Sequence, residues 1–234
     1  MKSALIACDV FRQEVEGLRG GSPDLAHVEF VELALHENPP RLKKALAERI
    51  GALEARGGFD RILLGFGLCG NALVGVGPSK CDLVVPKAHD CVSIFLGGRE
   101  AHEALQKEHP KVYFFLPGWN RGGQAPTEER MKERRAEYVE RFDEEEADFL
   151  METEYHSLRE RDYAVHIDLG IGDDTREQSR RTAAHWNWPL SERRGDGSFL
   201  RRLLSGPWDG ENFLVVKPGQ TIVHDPMGSF LRAQ

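Results

Sequence analysis

RILLGFGLCG, residues 61–70, is an apolar run that leads into a glycine loop carrying a cysteine. Two other stretches have the same design, since residues 5–8 read LIAC and residues 83–91 read LVVPKAHDC. Apolar runs of this length, separated by segments of helical periodicity, predict parallel strands that alternate with helices. The carboxyl ends of such strands open into one crevice, where ligands bind. We therefore expect the thiols that follow these runs to converge.

The chain as a whole predicts an α/β fold, with a mostly parallel sheet and helices on both faces. The clearest helix begins at Asn38-Pro39-Pro40, carries apolar residues at helical spacing and ends at Gly57-Gly58. Residues 127–155 predict one long charged helix, suited to solvent or to contact between copies in a homo-oligomer. Strands and helices alternate again after it, so two related α/β halves are an open alternative.

The predicted organisation has two regions. Residues 1–122 are expected to form an α/β metal-site region, and residues 123–234 the long helix and a second α/β region, packed together as one compact unit. A chain of 234 residues with 40% hydrophobic content can bury a core of that size.

Charge and hydropathy exclude several partners. The net charge of -7 argues against nucleic acid and acidic membranes, because phosphate binding needs a surplus of clustered lysine and arginine. The sequence has no apolar stretch of membrane-spanning length and no signal-like start, so we expect a cytoplasmic protein acting on a small-molecule substrate. In a reducing compartment, its four cysteines are better suited to metal binding or catalysis than to disulfides. Any one of them taken singly is as often a small buried hydrophobic residue.

Four residues are the candidate metal ligands. His89 and Cys91 are two positions apart, so on an extended segment both side chains would point to the same side. With Cys8 and Cys69 they make a Cys3His set, which zinc binds tetrahedrally, and three protein ligands would leave one position open for substrate. A [4Fe-4S] cluster held by three thiolates is the alternative. Cys81 begins its apolar run instead of ending it, so we expect it at the opposite edge of the sheet.

Two further residues are candidate catalytic groups on the same rim. His36 ends the second predicted strand and is a reserve ligand or a general base, with a loop histidine as the alternative. Asp90 flanks a thiol and is suited to orient an imidazole or hold a substrate cation, although lone carboxylates beside loops are more often turn residues.

The candidate cofactor-binding residues are those of the glycine loop, Gly67, Gly70 and Asn71, together with Trp119. The glycines of this loop match the G-x-G-x-x-G motif of dinucleotide sites, but that motif requires a helix after the glycines. The segment that begins at Asn71 is a poor helix, so the sequence does not favour a dinucleotide site. We expect Gly67 and Gly70 to let backbone crowd around Cys69, where amide groups lower its pKa or bind an anionic ligand. Trp119 follows another predicted strand and is expected to wall the crevice, with a core tryptophan as the alternative.

At these residues the chain resembles the family called domain of unknown function 1638. The similar segments are LIAC at 5–8, LHENP at 35–39, GLCGN at 67–71, VPKAHDC at 85–91, FLPGW at 115–119 and LLSGPW at 203–208. The resemblance implies a place beside corrinoid methyltransferase systems, and thus one-carbon chemistry with a corrinoid protein as partner. Zinc methyltransferases of those pathways use a His-x-Cys pair and a further cysteine. His89-Asp90-Cys91 has that spelling, although here the other cysteines precede the pair.

These observations predict a cytoplasmic metalloenzyme that transfers a thiol or methyl group in one-carbon metabolism. Two alternatives stay open. One is an iron–sulfur enzyme, and the other is a non-enzymatic accessory protein that carries a metal or a corrinoid cofactor.

Overall fold

The computed structural model describes all residues, 1–234, as ten strands and nine α-helices. The strands are β1 Ser3–Cys8, β2 Leu25–Val31, β3 Arg61–Gly65, β4 Asp82–Pro86, β5 Val112–Phe115, β6 Tyr163–Asp168, β7 Leu190–Arg194, β8 Phe213–Val216, β9 Ile222–Asp225 and β10 Phe230–Ala233. The helices are α1 Arg12–Leu18, α2 Pro39–Arg56, α3 Cys91–Leu96, α4 Arg99–Glu108, α5 Pro117–Arg121, α6 Glu128–Val139, α7 Glu144–Arg159, α8 Arg176–His185 and α9 Gly197–Ser205.

The predicted α/β class is confirmed by two largely parallel sheets. The first has the order β2-β1-β3-β4-β8, in which every pairing is parallel except the antiparallel contact between β4 and β8. The second is the parallel sheet β5-β6-β7, and β9 and β10 form an antiparallel pair. None of the helices combines the length and the apolar character needed to cross a bilayer.

Contacts divide the chain into two compact units. Unit 1 comprises Met1–Glu103 and Gly195–Gln234 and contains the five-stranded sheet, whereas unit 2 comprises Ala104–Arg194 and contains the three-stranded sheet. Unit 1 is thus built from two separate segments of the chain. The predicted division has a single boundary, between residues 122 and 123, so each predicted region is one continuous segment. That division stays a prediction.

In unit 1, helix α2 covers one face of the sheet. Its N-terminus is capped by Asn38, whose side-chain oxygen accepts a hydrogen bond from the Arg41 amide at 3.1 Å. Ile6 of β1 belongs to the same core as the buried face of α2, and the neighbouring Leu5 is also fully buried. Since successive side chains of a strand point to opposite faces, both faces of the sheet are covered. Helix α9 packs against β3 and β4.

In unit 2, the segment predicted as one charged helix forms two helices, α6 and α7. The break is set by Asp143, whose carboxylate accepts a hydrogen bond from the Glu146 amide at 2.8 Å and starts α7. The Arg134 and Glu154 side chains join the two helices at 3.0 Å. The charged residues therefore lie in a helical hairpin, which differs from the single rod expected from periodicity.

Candidate functional site

The three candidate cysteine ligands lie at one edge of the sheet in unit 1. Strands β1, β3 and β4 are neighbours and run parallel, so their carboxyl ends share an edge. Cys8 is the last residue of β1, Cys69 follows β3, and Cys91 follows β4. All are free thiols. The strand order therefore brings three sulfurs that are remote in sequence to the same rim.

The backbone after β3 is held directly against the backbone after β4. The amides of residues 68 and 69 donate hydrogen bonds to the carbonyls of residues 88 and 89, at 2.8 and 2.9 Å, and so extend the pairing beyond both strands. A Cβ atom on Gly67 would lie 2.5 Å from the backbone nitrogen of Asp90. Only glycine permits this approach, which fixes where Cys69 stands relative to the segment before α3.

A left-handed turn presents Cys69. Its φ is +45°, and Gly70 and Asn71 follow with φ of +64° and +69°. Left-handed backbone is uncommon for residues with a side chain, costs about 1–3 kcal/mol in such positions and clusters at functional sites. No helix follows this turn, so the dinucleotide reading of the glycines lacks its structural context, as expected from the sequence.

The three thiols interact electrostatically with one another. Burial raises the pKa of Cys8 to about 11, and the neighbouring Asp9 charge adds to this effect. Burial also raises the pKa of Cys69 to about 12, with further contributions from the charges of Asp90 and Cys8. The pKa of Cys91 lies well above its ordinary value because of burial, Asp90, Cys8 and Cys69. Each thiol is therefore protonated at neutral pH, and ionising one makes the next harder to ionise.

The thiols are not arranged around a common point. No group of three or more histidine, cysteine, aspartate or glutamate side chains in the structure has the arrangement of a metal site. The donor types are nevertheless those that zinc and iron–sulfur clusters take.

His89 is engaged by other groups. Its Nε2 lies 2.9 Å from Glu103 Oε1, and its ring meets the Phe230 ring edge-on at 4.8 Å between centroids. The expected extended segment does not continue to Cys91, because Asp90 is the N-cap of α3 and Cys91 is its first residue. The geometric reason for placing His89 and Cys91 on one side is therefore absent, and the role of His89 as a ligand stays a prediction.

Asp90 caps α3 and anchors a buried polar network that the sequence did not predict. Its Oδ1 accepts a hydrogen bond from the Ser93 amide at 3.1 Å, and the Ser93 hydroxyl lies 2.7 Å from Nδ1 of His102. Burial lowers the pKa of His102, while the charge of Asp90 opposes this effect. The sequence does carry a signal for a buried His102, because its three-residue spacing from Leu105 places both residues on one face of α4. In the structure both side chains are buried.

The remaining predicted residues lie next to Cys69 in the glycine loop, just before α2, or in unit 2. His36 is exposed, in a 3-10 turn just before α2. Gly70 faces the first residue of that helix, since a Cβ on it would lie 3.2 Å from Pro39 Cγ. Trp119 is half-buried on α5 in unit 2. The catalytic and binding roles predicted for these residues stay predictions.

Cys81 lies where its position in the apolar run predicts. It precedes β4, at the amino end of the strand, and its Sγ is 3.7 Å from Glu54 Oε1. Burial raises the pKa of Cys81 to about 11, and the Glu54 charge contributes. Cys81 is thus a buried free thiol of the same sheet that stands at the edge opposite the other three.

Comparison with known proteins gives one match. No curated protein and no solved structure matches the chain. A family model described as "Protein of unknown function (DUF1638)" matches residues 30–204. The matched span includes Cys69 and Cys91, their strands β3 and β4, and all of unit 2, and it covers well over half of the 234 residues. The chain therefore belongs to the protein family of unknown function DUF1638.

Proposed function

We propose that this protein is a metalloenzyme whose Cys8, Cys69 and Cys91 thiolates hold a zinc ion at the carboxyl edge of the first sheet. The observation that carries the proposal is the convergence of three free thiols, supplied by three neighbouring parallel strands, on one edge of the sheet. Clustered thiolates repel one another, and a divalent cation removes that repulsion and the penalty of their burial. A group of three half-buried thiols is therefore well suited to a metal.

Metal binding requires the three side chains to turn toward one point. A cysteine sulfur is one rotatable bond from the backbone, so a change of rotamer repositions it without moving the strand. The backbone is the part that cannot move easily, because Gly67 packs on Asp90 and the amide of Cys69 is hydrogen-bonded across to residue 89. We therefore propose that the scaffold is preorganised and that the ligand rotamers are set by the ion.

The proposed chemistry is group transfer to a small-molecule thiol. Zinc with three protein ligands keeps one position for substrate and lowers the pKa of a thiol bound there. The substrate S–H proton passes to a base, for which exposed His36 is the candidate, the sulfur forms a bond to the methyl carbon, and the donor departs with the electron pair of the broken bond. A methylated corrinoid protein in one-carbon metabolism is the proposed donor.

Metal content tests the ligand assignment directly. The protein is purified without oxygen, and zinc and iron are measured by elemental analysis together with the absorption spectrum. Cys69→Ser should lose the metal, whereas Cys81→Ser, a buried thiol at the other edge of the same sheet, should keep it. Equal metal content in the two variants would contradict the ligand set. A brown protein with iron and charge-transfer absorption would replace zinc with an iron–sulfur cluster at the same thiols.

Turnover tests the enzymatic part of the proposal. The zinc-loaded protein is mixed with methylcobalamin and a small thiol, and loss of the methyl–cobalt bond is followed by its visible spectrum. Thiol-dependent demethylation that requires Cys69 supports methyl transfer. Binding of the corrinoid without demethylation would favour a carrier or accessory protein over an enzyme.

A further inference from the structure

Unit 2 contains a separate cavity at the carboxyl edge of its own parallel sheet. The cavity has a volume of about 190 Å³ and is formed by the end of β6, the loop of residues 170–175 and Arg194 at the end of β7. Crevices at this edge of parallel sheets are where α/β proteins bind ligands. The volume equals roughly six water molecules at liquid density, which is the size of one small organic molecule.

One buried side chain faces this cavity without a partner. His166 is 1% exposed and lines the cavity, and its Nε2 has no hydrogen-bond partner. The closest carboxylate oxygen, Oδ2 of Asp168, is 3.8 Å away, which is beyond hydrogen-bond distance. Buried polar atoms are nearly always paired, so an unpaired ring nitrogen at a cavity wall points to a group that binds there.

The hydrogen bonds on the other side of the ring determine which kind of group this is. His166 Nδ1 lies 2.9 Å from Ser179 Oγ, and Oγ accepts a hydrogen bond from the side-chain Nδ2 of Asn120 at 2.8 Å. Since Ser179 Oγ already accepts from Asn120 and Nδ1 is the acceptor within reach of its own proton, we assign the hydroxyl as the donor to Nδ1 and the ring proton to Nε2. Burial lowers the pKa of His166, which keeps the ring neutral. Nε2–H is therefore an unsatisfied donor on a side chain that lines the cavity, and in this tautomer it has no lone pair for a metal ion.

A single hydroxyl group of a ligand can form hydrogen bonds with both His166 and Asp168. Nε2–H of His166 needs an acceptor, and Oδ2 of Asp168 accepts a proton donor, with 3.8 Å between the two atoms. A hydroxyl oxygen can accept from one and donate to the other at ordinary hydrogen-bond lengths. A carboxylate or phosphate oxygen could accept from His166 but would repel Asp168.

The charges around the cavity disfavour an anion, because three carboxylates, those of Asp168, Asp173 and Asp174, line it together with only two arginines. The two arginines that line it are already paired, Arg176 with Asp174 at 2.6 Å and Arg194 with Asp168 at 3.5 Å. They leave no surplus positive charge for an anion. We propose that this cavity binds a neutral polyhydroxylated molecule, a sugar or polyol, through a hydroxyl that accepts from His166 and donates to Asp168. This site is independent of the thiols of unit 1.

The test uses the full-length chain with nitrogen-15 labelled histidine and D-ribose and myo-inositol as probes. Long-range nitrogen–proton spectra should show His166 as the Nε2–H tautomer, and millimolar probe should shift its ring signals. Asp168→Asn keeps an oxygen for the Gly170 amide but removes the acceptor facing Nε2, and should weaken probe binding about tenfold. Asp162→Asn is the matched control, because Asp162 is exposed just before the amino end of the same strand.

Three outcomes would overturn the proposed hydroxyl contact, and a fourth would overturn the neutral class of ligand. They are an Nδ1–H tautomer of His166, unchanged ring signals with both probes, and equal probe binding by the Asp168 and Asp162 variants. L-lactate addresses the charge argument, since stronger binding of this hydroxy acid than of ribose would overturn the neutral class. The tautomer and the ring shifts are read on the unmodified protein, so the proposal is testable even if Asp168→Asn fails to fold.

Discussion

Gly67 controls how closely the loop after β3 approaches the loop after β4. Gly67→Ala would place a methyl group 2.5 Å from the Asp90 backbone nitrogen, so the two segments would have to separate. We expect a loss of about 1–3 kcal/mol in the free energy of unfolding, since backbone cannot give way as a flexible side chain can. Urea unfolding measures this loss, and metal content should fall with it.

Gly51→Ala is the control for that substitution. Gly51 lies on an exposed turn of α2, and a Cβ there would meet nothing within 4 Å. Alanine should stabilise this helix by about 0.5–1 kcal/mol relative to glycine. A Gly67 variant as stable as the Gly51 variant would show that the close approach of the two loops is not needed.

The thiols also predict how zinc affinity depends on pH. Cys8, Cys69 and Cys91 have raised pKa values, so they are protonated at neutral pH, and zinc must displace a proton from each ligand. Affinity should therefore rise from about pH 6 to about pH 8, with proton release that calorimetry detects as a dependence on the buffer's ionisation enthalpy. Affinity independent of pH would mean that fewer thiols bind than proposed.

At this scale, the sequence predicts the position of each cysteine but not the contacts of its neighbours. Apolar runs that end in a thiol place Cys8, Cys69 and Cys91 at one edge, because strand direction alone decides this. Nothing in the spacing shows that His89 contacts Glu103, which is a choice among side-chain rotamers. The network of Ser93 and His102 depends on the packing of α3 and α4, which residue spacing does not encode.

Among the elements, α2 and the charged hairpin show what periodicity can and cannot predict. Helix α2 has a capping asparagine, a continuous apolar face and two terminal glycines, and its predicted limits are confirmed. The apolar residues of α6 and α7 are too sparse to show that one helix ends and a second begins at residues 140–143. The capping signal at Asp143 was the available indication.

Asp143→Ala tests whether that cap sets the start of α7. The carboxylate satisfies the amide of Glu146, and losing an N-cap costs about 1 kcal/mol. We expect that loss in urea unfolding, together with a decrease in helical circular dichroism. Glu140→Ala removes an exposed acid at the end of α6 and should change stability by less than about 0.5 kcal/mol. Equal effects of the two variants would show that the break has another cause.

Strand β7 illustrates a different limit of sequence reasoning. It reads LSERR, without the β-branched or aromatic residues that favour strands. Its strand conformation comes from parallel pairing with β6, whose side chains are mostly buried. Pairing with a neighbour thus outweighs local propensity. For the same reason the cavity beside His166 was not anticipated, since Arg194 reaches it only through this pairing.

In the whole molecule, unit 1 is closed by residues that come last in the chain. Strand β8 joins the first sheet antiparallel to β4, and Leu231 of β10 is fully buried in the same core as β1 and β3. The local sequence pattern does not show which strand β8 pairs with, because pairing across more than a hundred residues is decided by packing. The predicted parallel order of β1, β3 and β4 did not require this information.

Acidification should destabilise the protein through its buried histidines. The pKa of His166 lies below the ordinary 6.5 because burial outweighs the charges of Asp168, Glu192 and Asp174, which raise it, while Arg176 lowers it further. As pH falls through about 6.5, the unfolded chain takes up a proton that the folded chain refuses, so the free energy of unfolding decreases. Above that pH both states are neutral and this contribution is constant.

Urea unfolding between about pH 7.5 and about pH 5 measures this decrease above the range in which most carboxylates titrate. Tryptophan fluorescence follows mainly unit 2, which holds three of the four tryptophans and in which Trp186 and Trp188 stack at 5.6 Å between ring centroids. His166→Gln should reduce the pH dependence, because glutamine does not titrate, and the buried His102 accounts for part of what remains. His36→Gln, which makes the same substitution at an exposed ring, is the control for the change of residue type. If the free energy of unfolding changes equally with pH in the His166 variant and in the wild type, the folded protein accepts a proton on this ring. The neutral Nε2–H donor assigned to the cavity wall would then not exist.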